Sequence, residues 1–274
     1  MSAGVVRRFW PAWVLVAAAA VCYGNALPNP FVFDDIEAIV NNEHIRSLSP
    51  LREALTAPPQ SAVAGRPVIS LTLALNYAWG ALSPWGYHLF NLGIHAACGV
   101  LLFLLLRRAL GLTKPSRVSN PSALSSPTTL AFAVALLWVV HPLQTELINY
   151  VVQRTESLMA FCYLLAFYAS VRVMTGDGSR RFWTGMAVAA ACVGMACKEV
   201  MVTAPVLIAL FDIIFVSGSV SRALRERRSL YAGLAASWIL LGLLNATGPR
   251  WRSAGFSSGV SPSTYLLHQA EMLV

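Results

Sequence analysis

Four stretches of this chain carry no Asp, Glu, Lys or Arg. They lie between Arg8 and Asp34 (25 residues), Arg66 and Arg107 (40), Arg117 and Glu146 (28), and Arg228 and Arg250 (21). A helix that crosses a membrane needs about 20 mostly apolar residues. Each run is long enough, and an ordinary soluble fold has no use for four of them. Composition agrees: 57% of the 274 residues are hydrophobic and 12% are charged, against roughly 25% charged in soluble domains. A soluble globular protein and a disordered chain are both excluded.

Two further stretches are apolar with a few charges inside them. Leu147 to Val173 is interrupted by Arg154, Glu156 and Arg172, and Phe182 to Val216 by Lys198, Glu199 and Asp212. The second is 35 residues long, too long for one span at about 1.5 Å of rise per residue. It divides best near the Lys198–Glu199 pair. The reading is an all-α polytopic membrane protein with helices at 9–27, 86–108, 128–142, 151–173, 182–197, 200–216 and 230–246. The first run is not read as a cleaved signal peptide, because it is long and no small-x-small site precedes the polar loop.

Lys and Arg placement orients the bundle. Segments that alternate along the seven helices collect 13 of the 20 basic residues and only three acids, Asp177, Asp212 and Glu226. That side is expected to be cytoplasmic. The out-of-place polar residues, Asp34, Asp35, His88, His141, Glu146, Arg154, Lys198 and Glu199, then fall on the other side, lumenal or periplasmic. The membrane is read as a bacterial inner membrane or the endoplasmic reticulum. The net charge of +8 sits in short clusters between apolar runs rather than in a basic stripe, so no nucleic-acid partner is expected. The five Cys lie inside apolar runs without a CxxC pair and read as small helix-facing residues.

One outer loop is long, 28–85. In it "SPLREAL" has a helix start, and "GRPVISLTLALNYAWG" reads as a surface helix anchored by Tyr77, Trp79 and Trp85. Gly111 to Pro127 reads as a Ser/Pro-rich linker. The closing "SPSTYLLHQAEMLV" begins a helix without a stop signal, which predicts the N-terminal part of a longer protein.

Three clusters could carry chemistry. Asp34–Asp35 is either a solvated turn, a general base beside an apolar wall, or a carboxylate pair that could hold a divalent cation. In "HPLQTELINYVVQRTE", Glu146 and Arg154 lie eight residues apart and share a helix face. They are either an ion pair seating a helix end, or Arg154 holds a phosphate in its planar fork. Lys198–Glu199 is either a snorkelling pair or a functional one at membrane depth. His88 and His95 lack a third ligand, so a zinc site is not supported and His95 reads as a buried polar contact.

"FVFDDIEAIVNNEHI", "GRPVISLTLALNYAWG", "LLWVVHPLQTELINYVVQRTESLMAFCYLLAFY" and "CKEVMVTAPVLIALFDIIF", in this order, resemble the membrane part of the transmembrane and TPR-repeat-containing O-mannosyltransferases and their bacterial relatives, which are GT-C glycosyltransferases. The resemblance implies that 1–274 form a GT-C module of about seven helices with surface helices in its first outer loop. It implies transfer of a sugar, mannose before others, from a polyprenyl or dolichyl phosphate donor to Ser or Thr hydroxyls of a protein acceptor. By the same resemblance Asp34 is the base and Asp35 supports it. Arg154 and Lys198 neutralise the departing phosphate, and His141, Glu146 and Glu199 orient those cations. No TPR region is present in 1–274. No glycine-rich phosphate loop for a nucleotide sugar is seen. A non-catalytic scaffold and a transporter are the rival readings. The transporter is disfavoured because the polar groups gather at one face, not at the midplane.

Overall fold

The computed structural model describes residues 3–112 and 126–247, with positions 261, 263–264 and 267–268. The expected linker at 113–125, with Lys114 and Arg117, and most of the closing stretch lie outside the described residues. Within them the chain is all-α, with no strand. In order come α1 (Ala3–Tyr23), α2 (Leu51–Ala54), α3 (Pro67–Gly80), α4 (Pro84–Leu112), α5 (Pro127–Val139), α6 (Thr145–Asn149), α7 (Arg154–Met174), α8 (Arg180–Cys197), α9 (Ala204–Phe211), α10 (Val220–Glu226) and α11 (Arg228–Thr247). Helices stand at all seven expected positions. Those at α1, α4, α5, α7, α8 and α11 are regular, and the 200–216 helix is a 3-10 turn (Glu199–Thr203), α9 and a π turn (Asp212–Ser217) run together.

Local chemistry sets the boundaries. Proline sits in the first turn of α3, α5 and α9, where its fixed φ suits the helix and its missing N–H is not needed. Ser126 caps α5 by accepting from Thr129 N at 3.1 Å, and Ser179 caps α8 by accepting from Phe182 N at 3.4 Å.

Among the described residues four helical stretches are long and apolar enough to cross a membrane: Pro84–Leu112, Val151–Met174, Glu199–Ser217 and Arg228–Thr247. A fifth is added if Pro127–Val139 and Pro142–Asn149, bent by 53°, count together. The apolar stretch in and after α1, Trp10–Ala26, is shorter, and α8 opens on Arg180–Arg181 and is rich in Ala and Gly. These two helices therefore fall below that measure, and the chain is an all-α polytopic membrane protein with four or five clear spans.

The apolar faces form two clusters. One joins α1, α4 and α5 through Leu15, Leu92, Phe103, Ala135 and Val139. The other joins the first loop and α3 to α7, α8, α9 and α11 through Ile39, Leu73, Ala166, Ala191, Met195 and Leu234. Small residues let the helices approach closely, as membrane packing requires. Gly99 is the sharpest case: a Cβ there would lie 2.3 Å from Val139 Cγ2.

Polar bonds are gathered at the two ends of the bundle. One end joins residues 23–35 to 141–152, 87–91 to 147–154, and Lys198 to Glu156. The other joins Arg108, Arg172 and Asp177, and Asp212, Arg227 and Tyr231. Every residue expected to carry chemistry belongs to the first end.

Candidate active site

The adjacent carboxylates have opposite surroundings. Asp35 is fully buried. Its Oδ1 accepts from Val152 N at 2.8 Å, and its Oδ2 accepts from Val151 N at 3.1 Å and Val32 N at 3.2 Å. Burial lifts its carboxyl above the ordinary carboxylate value, against the pull of those N–H donors and of His88. Any cation shared by both carboxylates would have to compete with three backbone donors for Asp35. Among the described residues no three His, Cys, Asp or Glu side chains form a metal-ligand group.

Asp34 is exposed. The Tyr150 hydroxyl donates to its Oδ2 at 2.6 Å, and burial, then that bond, hold the phenol well above its ordinary value. Phe33, just before it, has φ of 50° in the left-handed region. A non-glycine residue there costs on the order of 1–3 kcal/mol, and such strain gathers at functional sites. The exposed Phe33 ring meets Tyr150 edge-on at 5.8 Å. The next residues form a wide π turn, Ile36–Val40, a geometry also frequent at functional sites.

Behind this turn a buried network fixes the 147–154 segment. His88 is fully buried, with Nδ1 2.7 Å from Ile148 O and Nε2 3.0 Å from Asn29 O. A neutral ring donates to only one of two such carbonyls. Asn29 Nδ2 donates to Asn149 Oδ1 at 2.6 Å. Asn91 Nδ2 donates to Leu147 O at 3.1 Å and Val151 O at 3.2 Å.

Arg154 departs from expectation. It is fully buried and not paired with Glu146. Its Nε donates to Asn91 Oδ1 at 2.8 Å, its Nη2 to Tyr87 O at 3.0 Å and its Nη1 to Thr72 Oγ1 at 3.3 Å. Its guanidinium also lies over the Phe90 ring at 4.4 Å. In this conformation no donor phosphate reaches it, and it ties α3, α4 and α7 together. Glu146 instead accepts from Gln153 Nε2 at 2.8 Å. His141 is exposed and accepts from Leu143 N at 3.2 Å, starting the 3-10 turn that begins at Pro142. Neither orients a cation.

Lys198 stays accessible. It pairs with Glu156, and Glu199 faces Arg66 at 3.8 Å. Burial, then the neighbouring Arg66, press the Lys198 ammonium below its ordinary value against the pull of Glu199. Lys198 and Arg66 are thus accessible where Arg154 is not, as is the exposed Arg52 of the first loop. Sequence reading missed Tyr150, Asn91 and Arg66 as partners. Asn91, one of two amides within the 40-residue uncharged run, was the available signal for a buried polar bond.

Curated proteins with the same order of segments exist. Human protein O-mannosyl-transferase TMTC4 is 29% identical over 97% of this chain and 37% of its own length. Its mouse counterpart is 31% identical over 77% of this chain and 30% of its own length. Drosophila melanogaster protein O-mannosyl-transferase Tmtc3 is 33% identical over 74% of this chain and 24% of its own length. The chain belongs to the TMTC O-mannosyltransferase family. It spans 37% or less of the length of these TMTC relatives. No family model matches the chain, and no solved structure does.

Proposed function

We propose that this chain is the GT-C membrane module of a protein O-mannosyltransferase, its seven helices all crossing the membrane and its Asp34 end on the lumenal or periplasmic face. The donor is mannose on a polyprenyl or dolichyl phosphate, and the acceptor is a Ser or Thr hydroxyl of a protein. The acceptor oxygen attacks sugar C1 and the C1–O bond to phosphate breaks. The bond's electron pair leaves with the polyprenyl phosphate, and the hydroxyl proton passes to Asp34. Tyr150 aims that carboxylate, and the Asp35 bonds hold the turn that carries it. Lys198 and Arg66 meet the charge growing on the phosphate, as fixed cations placed where charge develops.

One observation carries this reading: of two adjacent carboxylates one is sealed by backbone N–H groups, while the other stands exposed on a strained turn. The test is transfer by the full-length protein from dolichyl phosphate mannose to an acceptor peptide. Loss of transfer in Asp34→Asn with normal folding supports it. Full transfer in both Asp34→Asn and Lys198→Ala takes these residues out of the reaction, and no transfer by the wild-type full-length protein leaves the non-catalytic scaffold as the better account.

A further inference from the structure

The end of the bundle opposite Asp34 holds a cavity of about 360 Å³ that the transfer chemistry does not use. That lies within the usual range of small-ligand pockets, about 300–1,000 Å³. Arg172, Arg180 and Arg227 line it, with Thr175, Glu226 and the bare turn at Gly176 and Gly178. Each comes from a different part of the fold: the end of α7, the start of α8, and the junction of α10 with α11.

The charge at this end is unbalanced. Nine arginines, in 107–108, 172, 180–181 and 222–228, stand against three carboxylates, Asp177, Asp212 and Glu226. Those carboxylates are already engaged. Asp177 lies between Arg108 and Arg172. Asp212 accepts from Arg227, Ser217 and Tyr231. Glu226 accepts from Arg222 at 2.8 Å and sits 3.6 Å from Arg227. Arg180 is different, since its bond inside the protein goes to the main-chain oxygen of Glu226, not to a carboxylate. Among the described residues, then, an arginine without a carboxylate partner faces a cavity already walled by two others. The first turn of α8 adds the positive end of a helix to the same place.

The shape suits a phosphate group. Arginine forks match phosphate oxygens in pairs. Gly176 and Gly178 have φ of 69° and 91°, and a Cβ on Gly178 would lie 3.0 Å from Trp183 Nε1 and 3.4 Å from Arg172 Nη2. The glycine thus lets the Arg172 head come to the cavity wall. Arg172 also lies over the Trp183 ring at 4.3 Å, beside the exposed Phe182. Tryptophan gathers at the level of lipid headgroups, so Trp183 beside Arg172 suits a cavity that takes a lipid phosphate.

We propose that this cavity binds the phosphate of an anionic phospholipid from the leaflet at that end, with Arg180 as the principal contact and Arg172 and Arg227 beside it. The site is separate from the transfer reaction and does not depend on it. Its occupant clamps α7, α8 and α11 together.

The test uses purified full-length protein in neutral detergent. Thermal unfolding and native mass spectrometry are read with added phosphatidylglycerol, phosphatidylcholine or inorganic phosphate, for wild type, Arg180→Ala and Arg180→Lys. Phosphatidylglycerol should raise the unfolding temperature and stay bound, and phosphatidylcholine should do neither. Arg180→Ala should weaken that binding by about tenfold or more, the usual weight of a charged hydrogen bond, with Arg180→Lys intermediate. Its unfolding temperature in phosphatidylcholine should match wild type, which shows that the fold is kept. An equal shift with inorganic phosphate, lost in Arg180→Ala, would support a phosphate site but make its ligand a free anion. Equal effects of both lipids, or phosphatidylglycerol binding unchanged by Arg180→Ala, would overturn the proposal.

Discussion

Asp34 and Asp35 differ by one position and should fail in different ways. Asp34→Asn keeps size but cannot take a proton, so transfer by the full-length protein should fall by about two to four orders of magnitude, with unfolding unchanged. Asp35→Asn removes an acceptor oxygen from a buried site that serves three N–H groups. It should cost about 1–3 kcal/mol of stability, seen as a lower unfolding temperature, with a smaller effect on transfer. Arg154 gives a third contrast. Arg154→Ala takes a donor from Asn91 Oδ1 and Tyr87 O, and a buried acceptor left unsatisfied costs about 1–3 kcal/mol. Arg154→Lys should recover part of the stability. If Arg154→Ala folds like wild type and only donor use weakens, the guanidinium meets phosphate after all. At this scale the sequence singled out polar residues but not their partners. The "DD" pair and "QRTE" stand out against apolar surroundings, but Tyr150 to Asp34 and Arg154 to Asn91 span 116 and 63 residues. No local spacing encodes contacts of that range.

Single helices were the most legible units. An uncharged run of 20 or more residues has few alternatives to a helix in lipid, where every backbone group must be satisfied internally. The break after α5 was legible because Pro142 marks it, and the one near Lys198–Glu199 because the stretch is too long for one span. The π turns at Ile36–Val40 and Asp212–Ser217 were not, because they depend on what the widened turn packs against. Helix contacts give a test with an internal control. Gly99→Val puts atoms where Val139 already lies, at 2.3 Å for the Cβ alone, and should cost about 1–3 kcal/mol by overpacking. Gly93→Ala, with nothing within 4 Å of the added Cβ, should be neutral or slightly stabilising by helix propensity. Detergent unfolding temperatures of the two variants make the comparison. Equal losses would mean that α4 and α5 are not held at this distance.

Across the whole molecule the claim is one of sidedness. Gln60 is exposed in the first loop and Ser221 is exposed in α10 at the opposite end. With the orientation set by Lys and Arg placement, a thiol at Gln60→Cys should react with an impermeant reagent in sealed cells or vesicles of known orientation. Ser221→Cys should react only after permeabilisation. The reverse pattern would turn the bundle over. Acid sensitivity belongs to the Ser221 end. Arg108, with Arg172, holds the Asp177 carboxyl below its ordinary value. Its contribution to stability is therefore present above the unfolded carboxyl pKa and is lost as pH falls through the folded one. Asp177→Asn should flatten the acid limb of the unfolding-temperature profile. The gathering of the basic clusters at one end was readable because charge placement is a property of composition along the chain, and the labelling decides which face that end meets. Which helices touch depends on small-residue faces, which composition does not order.

The bonds from Val151 and Val152 to Asp35 also set a timetable for biosynthesis. A chain growing from its N-terminus delivers both carboxylates early, yet the amides that fix their turn emerge more than a hundred residues later. Until the start of α7 has emerged, the first loop can pack on α3 and α4, but Asp35 lacks two of its three N–H donors. The turn that carries the two carboxylates is therefore completed only when the 151–152 segment docks on it.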